Sequence, residues 1–347
     1  MDAPVRYVRS RDGTRIAYSV VGDGPPLVHL QVPSLSHIEL YPRLPGARDY
    51  LERLGRGRKL IRVDFRGTGM SEREFEDHSP EALTDDVEAV VDALGLNDFE
   101  LTAGGARVTP ALGLTTRRPA SVKRLLLSFP FTARPARADQ PVDSGQRGML
   151  ALMESNWDLW LEITTQRNTG RPISEIQEAI AFVRRCVDQH NQVAEAKAAR
   201  PELDWERAVA VDIPVLVLEF ENNVRIPSGR MQEFAKRFPH GRYMSLPESA
   251  MPPPYGETEP YLQAVMEFLG PPPVAAPPVA TVDESHLSPR EREVLSLLAA
   301  GRTEPEIATA LFISRSTVSR HVVSVYTKIG AHRKAEAVAW AIRHGLG

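Results

Sequence analysis

Residues 99–116 read FELTAGGARVTPALGLTT, a strand-like approach that meets the pair Gly104-Gly105 and then takes up helical spacing. Gly95-Leu-Asn-Asp is the break in front of it. Behind it Pro119 and residues 121–128, SVKRLLLS, read as the entry into another strand. No Ser or Cys occurs anywhere in residues 99–116. The turn from strand to helix therefore carries no side-chain nucleophile.

Upstream, residues 9–18, RSRDGTRIAY, read as a hairpin with Asp12-Gly13 as its two-residue turn. Residues 60–71, LIRVDFRGTGMS, read as a strand followed by a glycine-bearing loop, with Asp64 and Arg66 in structural roles. Apolar positions at helical spacing fill residues 85–94. Strands thus alternate with helices, which predicts a mostly parallel sheet covered on both faces, an α/β architecture.

The order of these landmarks, and Asp-x-Arg-Gly-x-Gly-x-Ser at residues 64–71 in particular, resembles the α/β-hydrolase family over about residues 1–270. That resemblance implies a strand-to-helix elbow of the form Gly-x-Ser-x-Gly, and its spacing puts Gly105 at the serine, between Gly104 and Ala106. The catalytic acid would fall at Asn223 in residues 213–227, IPVLVLEFENNVRIP, and an amide cannot hold a histidine with a negative charge. The base would fall at Met251, after residues 242–247, RYMSLP; no histidine lies between Gly241 and Ser285. Residues 125–132, LLLSFPFT, offer no acid either, and Gln31-Val32 replace the His-Gly of the oxyanion loop. No catalytic residue is assigned, and the domain is expected not to be an enzyme.

From about 133 to 210 helical periods replace strands, and the resemblance makes this insertion a cap. Two helical stretches are expected, at 149–165 and 174–199. Their apolar residues serve either as packing surface or, through Trp157, Trp160, Met153 and Phe182, as the lining of a cavity. The candidate ligand pocket is Gln31, Val32, Gly104, Gly105, Ala106, Trp157, Trp160 and Met251.

Residues 287–330, LSPREREVLSLLAAGRTEPEIATALFISRSTVSRHVVSVYTKIG, divide into helices on local physics. Ser288 with Glu291 and Thr303 with Glu306 form capping boxes, Pro289 sits at a first helical position, Gly301 ends the first helix and Ser314 caps a third. Val318, Val322, Val325 and Ile329 line one side of that third helix and Arg315, Ser316, Ser319, Arg320 and Ser324 another. Residues 286–347 resemble the LuxR-type helix-turn-helix domain, through EREVL at 291–295, EIA at 306–308, SRSTVSRH at 314–321 and KIG at 328–330. Ser319 departs from the lysine usual there. The resemblance implies double-stranded DNA as partner and Ser314, Arg315, Ser316, Thr317, Ser319, Arg320, His321 and Lys328 as its contacts.

From Glu284 onward nine Lys/Arg stand against six Glu, while the whole chain carries −3. A basic module on an acidic body fits DNA binding by the tail. Cys186 is the only cysteine, which excludes an intramolecular disulfide and fits a reducing cytoplasm. No apolar run reaches membrane length, and no signal peptide, cofactor or metal cluster is expected. The Pro-rich residues 271–285 read as an extended linker between a domain at 1–270 and one at 286–347. The reading is a homodimeric transcription regulator whose large domain senses a small molecule, dimerises, or both. A pure protein-contact body and a residual hydrolase are the alternatives.

Overall fold

A computed structural model describes residues 3–129, 144–169, 172–198, 205–221, 229–247, 250, 252–253, 256–271, 287–329, 331 and 334–343. They form two units, residues 1–273 and 274–347. Apart from Pro271, the expected linker lies outside the described residues, as do Asn223 and Met251.

The large unit runs β1 (Arg6–Arg9), β2 (Arg15–Val21), β3 (Pro26–Leu30), α1 (Ala47–Leu54), β4 (Lys59–Asp64), α2 (Pro80–Ala93), β5 (Phe99–Gly104), α3 (Val108–Arg117) and β6 (Val122–Ser128). It continues through α4 (Ser144–Ser155), α5 (Trp157–Thr169), α6 (Gln177–Cys186), α7 (Gln189–Lys197), α8 (Trp205–Val209), β7 (Pro214–Phe220), α9 (Arg230–Ala235), β8 (His240–Leu246) and α10 (Thr258–Leu269). The sheet order is β1-β2-β4-β3-β5-β6-β7-β8. β2 is antiparallel to both β1 and β4, and the remaining pairs are parallel. Alternation of side chains along each strand splits the apolar core. Val28, Ile61, Leu101 and Val215 meet α2, α3 and α9 on one face; Leu27, Leu60, Leu126 and Leu216 meet α1 and α10 on the other. The mostly parallel, doubly covered sheet agrees with the alternation read in the sequence.

Three expectations are corrected. The first hairpin is wider than a two-residue turn: Arg9 pairs with Arg15, because Asp12 accepts the Thr14 amide (3.0 Å) and its carboxylate is drawn to Arg66 (2.7 Å). The stretch around 149–165 is two helices, divided at Asn156, whose Oδ1 caps α5 by accepting from Leu159 N. The stretch at 174–199 is divided at Val187 and Asp188. Val187 bridges to Thr68, and Asp188 caps α7 while holding Arg73 at 3.1 Å.

Asp64 ends β4 and is buried. Its carboxylate accepts from Ser36 Oγ (2.8 Å), Ile38 N (3.0 Å) and Met70 N (3.0 Å), so one side chain ties the loop after β3 to the loop after β4. Arg66 donates to Asp86 and Asp12. Both residues thus have structural partners. Gly69 has φ +51°, and a Cβ there would run into Asp64 Oδ2. Gly69→Ala is expected to destabilise the large unit by about 2 kcal/mol or more, seen as an earlier unfolding transition in urea; an unchanged midpoint would contradict the role given to Asp64.

Candidate functional site

β5 turns at Gly105 through a single 3-10 turn, Gly105–Arg107, into α3. Gly105 is buried with φ +54°, the sharp left-handed geometry that a strand-to-helix elbow imposes on its central residue. The backbone thereby places Gly105 at the elbow's centre, the position assigned by spacing. Hydrogen alone projects from it.

The sheet register brings Leu30 beside Ala103 and Gly104 beside Ser128, so Gln31, Val32 and Phe129 lie at the level of the elbow. The buried carboxamide oxygen of Gln31 accepts from Arg62 Nη2 (3.1 Å) and Nε (3.3 Å). Arg62 also donates to the carbonyls of Ile38 and His37. Val32 closes on Gly104, where a Cβ would stand 3.1 Å from its Cγ1. Ala106 is half-buried. Trp157 and Trp160, three apart on α5, stack at 4.8 Å and pack with Val32 and Phe129 against one apolar cluster. Met153 and Phe182 are buried, as packing surface would be.

Two features escaped the sequence reading. Phe129, with φ +37°, directly follows β6 and its ring lies 4.3 Å from that of Phe220, two aromatics at the strand ends beside the elbow. Arg107 is fully buried two residues past Gly105; it donates to Glu195 on α7 (2.8 Å) and lies over the Phe65 ring (4.6 Å). A charged residue inside an otherwise apolar turn of helix was the available signal. Two clefts lie elsewhere, one between α7 and residues 66–83 and one along Arg9, Arg15 and residues 71–74.

The small unit comprises α11 (Pro289–Ala299), α12 (Glu304–Ala310), α13 (Arg315–Ile329) and α14 (Lys334–Arg343). Its caps are those read in the sequence. Ser288 and Glu291 form a capping box, Glu306 takes the Thr303 amide at 2.7 Å, and Ser314 Oγ accepts from Thr317 N at 3.1 Å. Val318 and Val322 pack with Val294, Leu298 and Ile307; Val325 and Ile329 pack with Leu295 and Trp340. The expected inward stripe is correct.

On the other sides of α13, Arg315, Ser316 and Arg320 are exposed, and Thr317 and His321 half-buried. Ser314 Oγ also bonds Ser316 and Thr317, each at 2.8 Å. Two of the expected contacts have partners within the unit. Ser319 Oγ donates to Glu304 (2.6 Å), and Lys328 Nζ donates to both oxygens of Glu291 (2.8 and 2.9 Å), beside Ser324 Oγ (2.7 Å). Lys328 is therefore a tether between α13 and α11, because a buried carboxylate needs a counter-charge.

Residues 285–341 match the family described as bacterial regulatory proteins, luxR family. The probable transcriptional regulatory protein NarL of Mycobacterium tuberculosis is 48% identical over 71 residues, 20% of this chain and 31% of NarL. The spore germination protein GerE of Bacillus subtilis is 42% identical over 59 residues, 17% of this chain and 80% of GerE. The chain thus spans about a third of the first relative and most of the second. The large unit shares its fold with the esterase RhEst1 from Rhodococcus sp. ECU1013, at a TM-score of 0.65 and 21% identity, over 78% of this chain and 99% of the esterase. At that identity the likeness is one of fold, the α/β-hydrolase fold.

Burial pushes the Glu291 carboxyl up, but the donors Lys328, Ser324 and Ser288 outweigh it and hold it at about 2, against an ordinary 4.5. The paired carboxylate therefore stabilises the small unit fully above pH 4.5, and that contribution is lost as pH falls through about 2. Glu291→Gln is expected to cost about 2 kcal/mol at neutral pH and to remove this acid-limb loss, followed by hydrogen exchange over residues 287–343. Equal acid sensitivity in variant and wild type would contradict it.

Proposed function

Because the chain belongs to the luxR family of bacterial regulatory proteins, we propose that it is a transcription regulator that binds double-stranded DNA through α13, while its hydrolase-like domain catalyses no hydrolysis. The observation that carries the second half is Gly105. At the centre of an intact elbow, with φ +54°, the chain supplies no attacking oxygen. The substitutions read in the sequence at Asn223, Met251 and Gln31-Val32 point the same way, and Gln31 is engaged by Arg62. Acyl transfer needs nucleophile, base and oxyanion donors together.

The domain is then a regulatory body. We read the bare elbow and the stacked Trp157–Trp160 pair of the cap as a small-molecule receptor for an apolar ligand. The commitment of Gln31 to Arg62, of Val32 to Gly104 and of Met153 and Phe182 to the core favours the second reading, a body that works through protein contacts. In both, the large domain supplies most of a homodimer interface, because one helix-turn-helix module buries little surface and pairs of modules read half-sites about one helical turn apart. Among the described residues no helix is long and apolar enough to cross a membrane.

The purified chain is expected to show no turnover of p-nitrophenyl acetate or butyrate, and Gly105→Ser is expected not to restore it, since the base would still be missing. Activity that copurifies to constant specific activity would sink the non-catalytic reading. Sedimentation at micromolar concentration is expected to give a dimer. DNA affinity should fall on the order of 10³-fold between 50 and 200 mM salt, as for about six phosphate contacts shared by two modules; a monomer both free and on DNA, or salt-independent binding, would contradict this arrangement.

A further inference from the structure

α13 carries two stripes of equal spacing. Val318, Val322, Val325 and Ile329 form the inward one. Ser316, Arg320 and Val323, at i, i+4 and i+7, form another, turned by two residues or about 200°. All three are exposed, Val323 at 65%. Two adjacent valines thus have opposite fates: Val322 enters the core and Val323 leaves it.

What the other polar groups of α13 are doing makes Val323 informative. Ser319 is held by Glu304, Ser324 and Lys328 by Glu291, and Ser316 by Ser314. Arg320 has no hydrogen bond or ion pair among the described residues. The outward stripe therefore presents one long, uncommitted cation and, three residues along, one branched apolar side chain. A major groove offers a matching pair of features: acceptors on guanine O6 and N7 for an arginine, and the C5-methyl of thymine for an apolar group. Three residues of helix rise about 4.5 Å, close to the 3.4 Å spacing of successive base pairs, so the two side chains address neighbouring pairs.

Resting on the DNA-binding reading above, we infer that Val323 is a specificity-determining residue that reads the C5-methyl of a thymine, next to a guanine read by Arg320. Cytosine and uracil lack that methyl, and cytosine would bring its N4 amino group against the isopropyl group and leave it without a hydrogen-bond acceptor. The position discriminates by shape and desolvation rather than by hydrogen bonding.

The test uses the full chain. Duplexes selected by the wild type from a random library are resynthesised with each thymine replaced in turn by deoxyuridine, which removes one methyl group and no hydrogen-bonding atom. Wild type is expected to lose about fourfold in affinity at one thymine per half-site, the equivalent of one buried methyl. Val323→Ala is expected to bind the thymine and deoxyuridine duplexes equally at that position, and Arg320→Ala to bind both more weakly while keeping their ratio. Since Val323 is exposed, the alanine variant should melt like wild type. Wild-type indifference to every replacement, or an undiminished thymine preference in Val323→Ala, would overturn the assignment. Failure of the wild type to select any sequence would instead overturn the DNA-binding reading on which it rests.

Discussion

The upper edge of the large domain depends on one carboxylate. Asp64 stands where β4 ends, and its three donors come from the loop after β3 and from the loop after β4 itself. Parallel strands leave all such loops at one end of a sheet, where their backbone groups need partners that the ladder cannot supply. Asp64 provides several at once, and the neighbouring glycine keeps the space it occupies. The loop it orders carries Arg66 and Arg73, which fasten the hairpin, α2 and the start of α7. The elbow at Gly105 is held in the same frame, because Arg107 reaches from it to Glu195 on α7.

Glu291 has the same role in the small domain. It caps α11 through Ser288 and takes Ser324 and Lys328 from α13, so the angle between two helices rests on a buried, fully bonded charge. Replacing Lys328 would leave that charge uncompensated, a larger effect than the loss of one surface cation. The consequence reaches the outward face. Polar residues spent on internal carboxylates leave Arg320 and Val323 as the projecting groups in the middle of the helix.

Much of the architecture was legible in local chemistry. The alternation of strands and helices, the capping boxes of α11 and α12, the Ser314 cap and the inward stripe of α13 follow from spacing over a few residues, where sequence distance and spatial distance are nearly the same. The assignment of Gly105 to the serine's place came from the α/β-hydrolase resemblance and its elbow spacing, not from local chemistry. The cap was less readable. Its helices divide at Asn156 and at Val187–Asp188 through an Asx cap and a bridge to Thr68, short features inside runs that keep a helical apolar period.

Sequence by itself determined the alternation of strands and helices in the large domain, the helix caps of the small one, and that residues 99–116 hold no Ser or Cys, because backbone preference, capping and residue identity are local properties. Tertiary structure decided which polar side chains remain available. Ser319 meets Glu304 across 15 residues, Lys328 meets Glu291 across 37, and Gln31 meets Arg62 across 31. No periodicity encodes such pairings; they arise when packing brings a buried carboxylate or guanidinium beside the nearest group able to satisfy it.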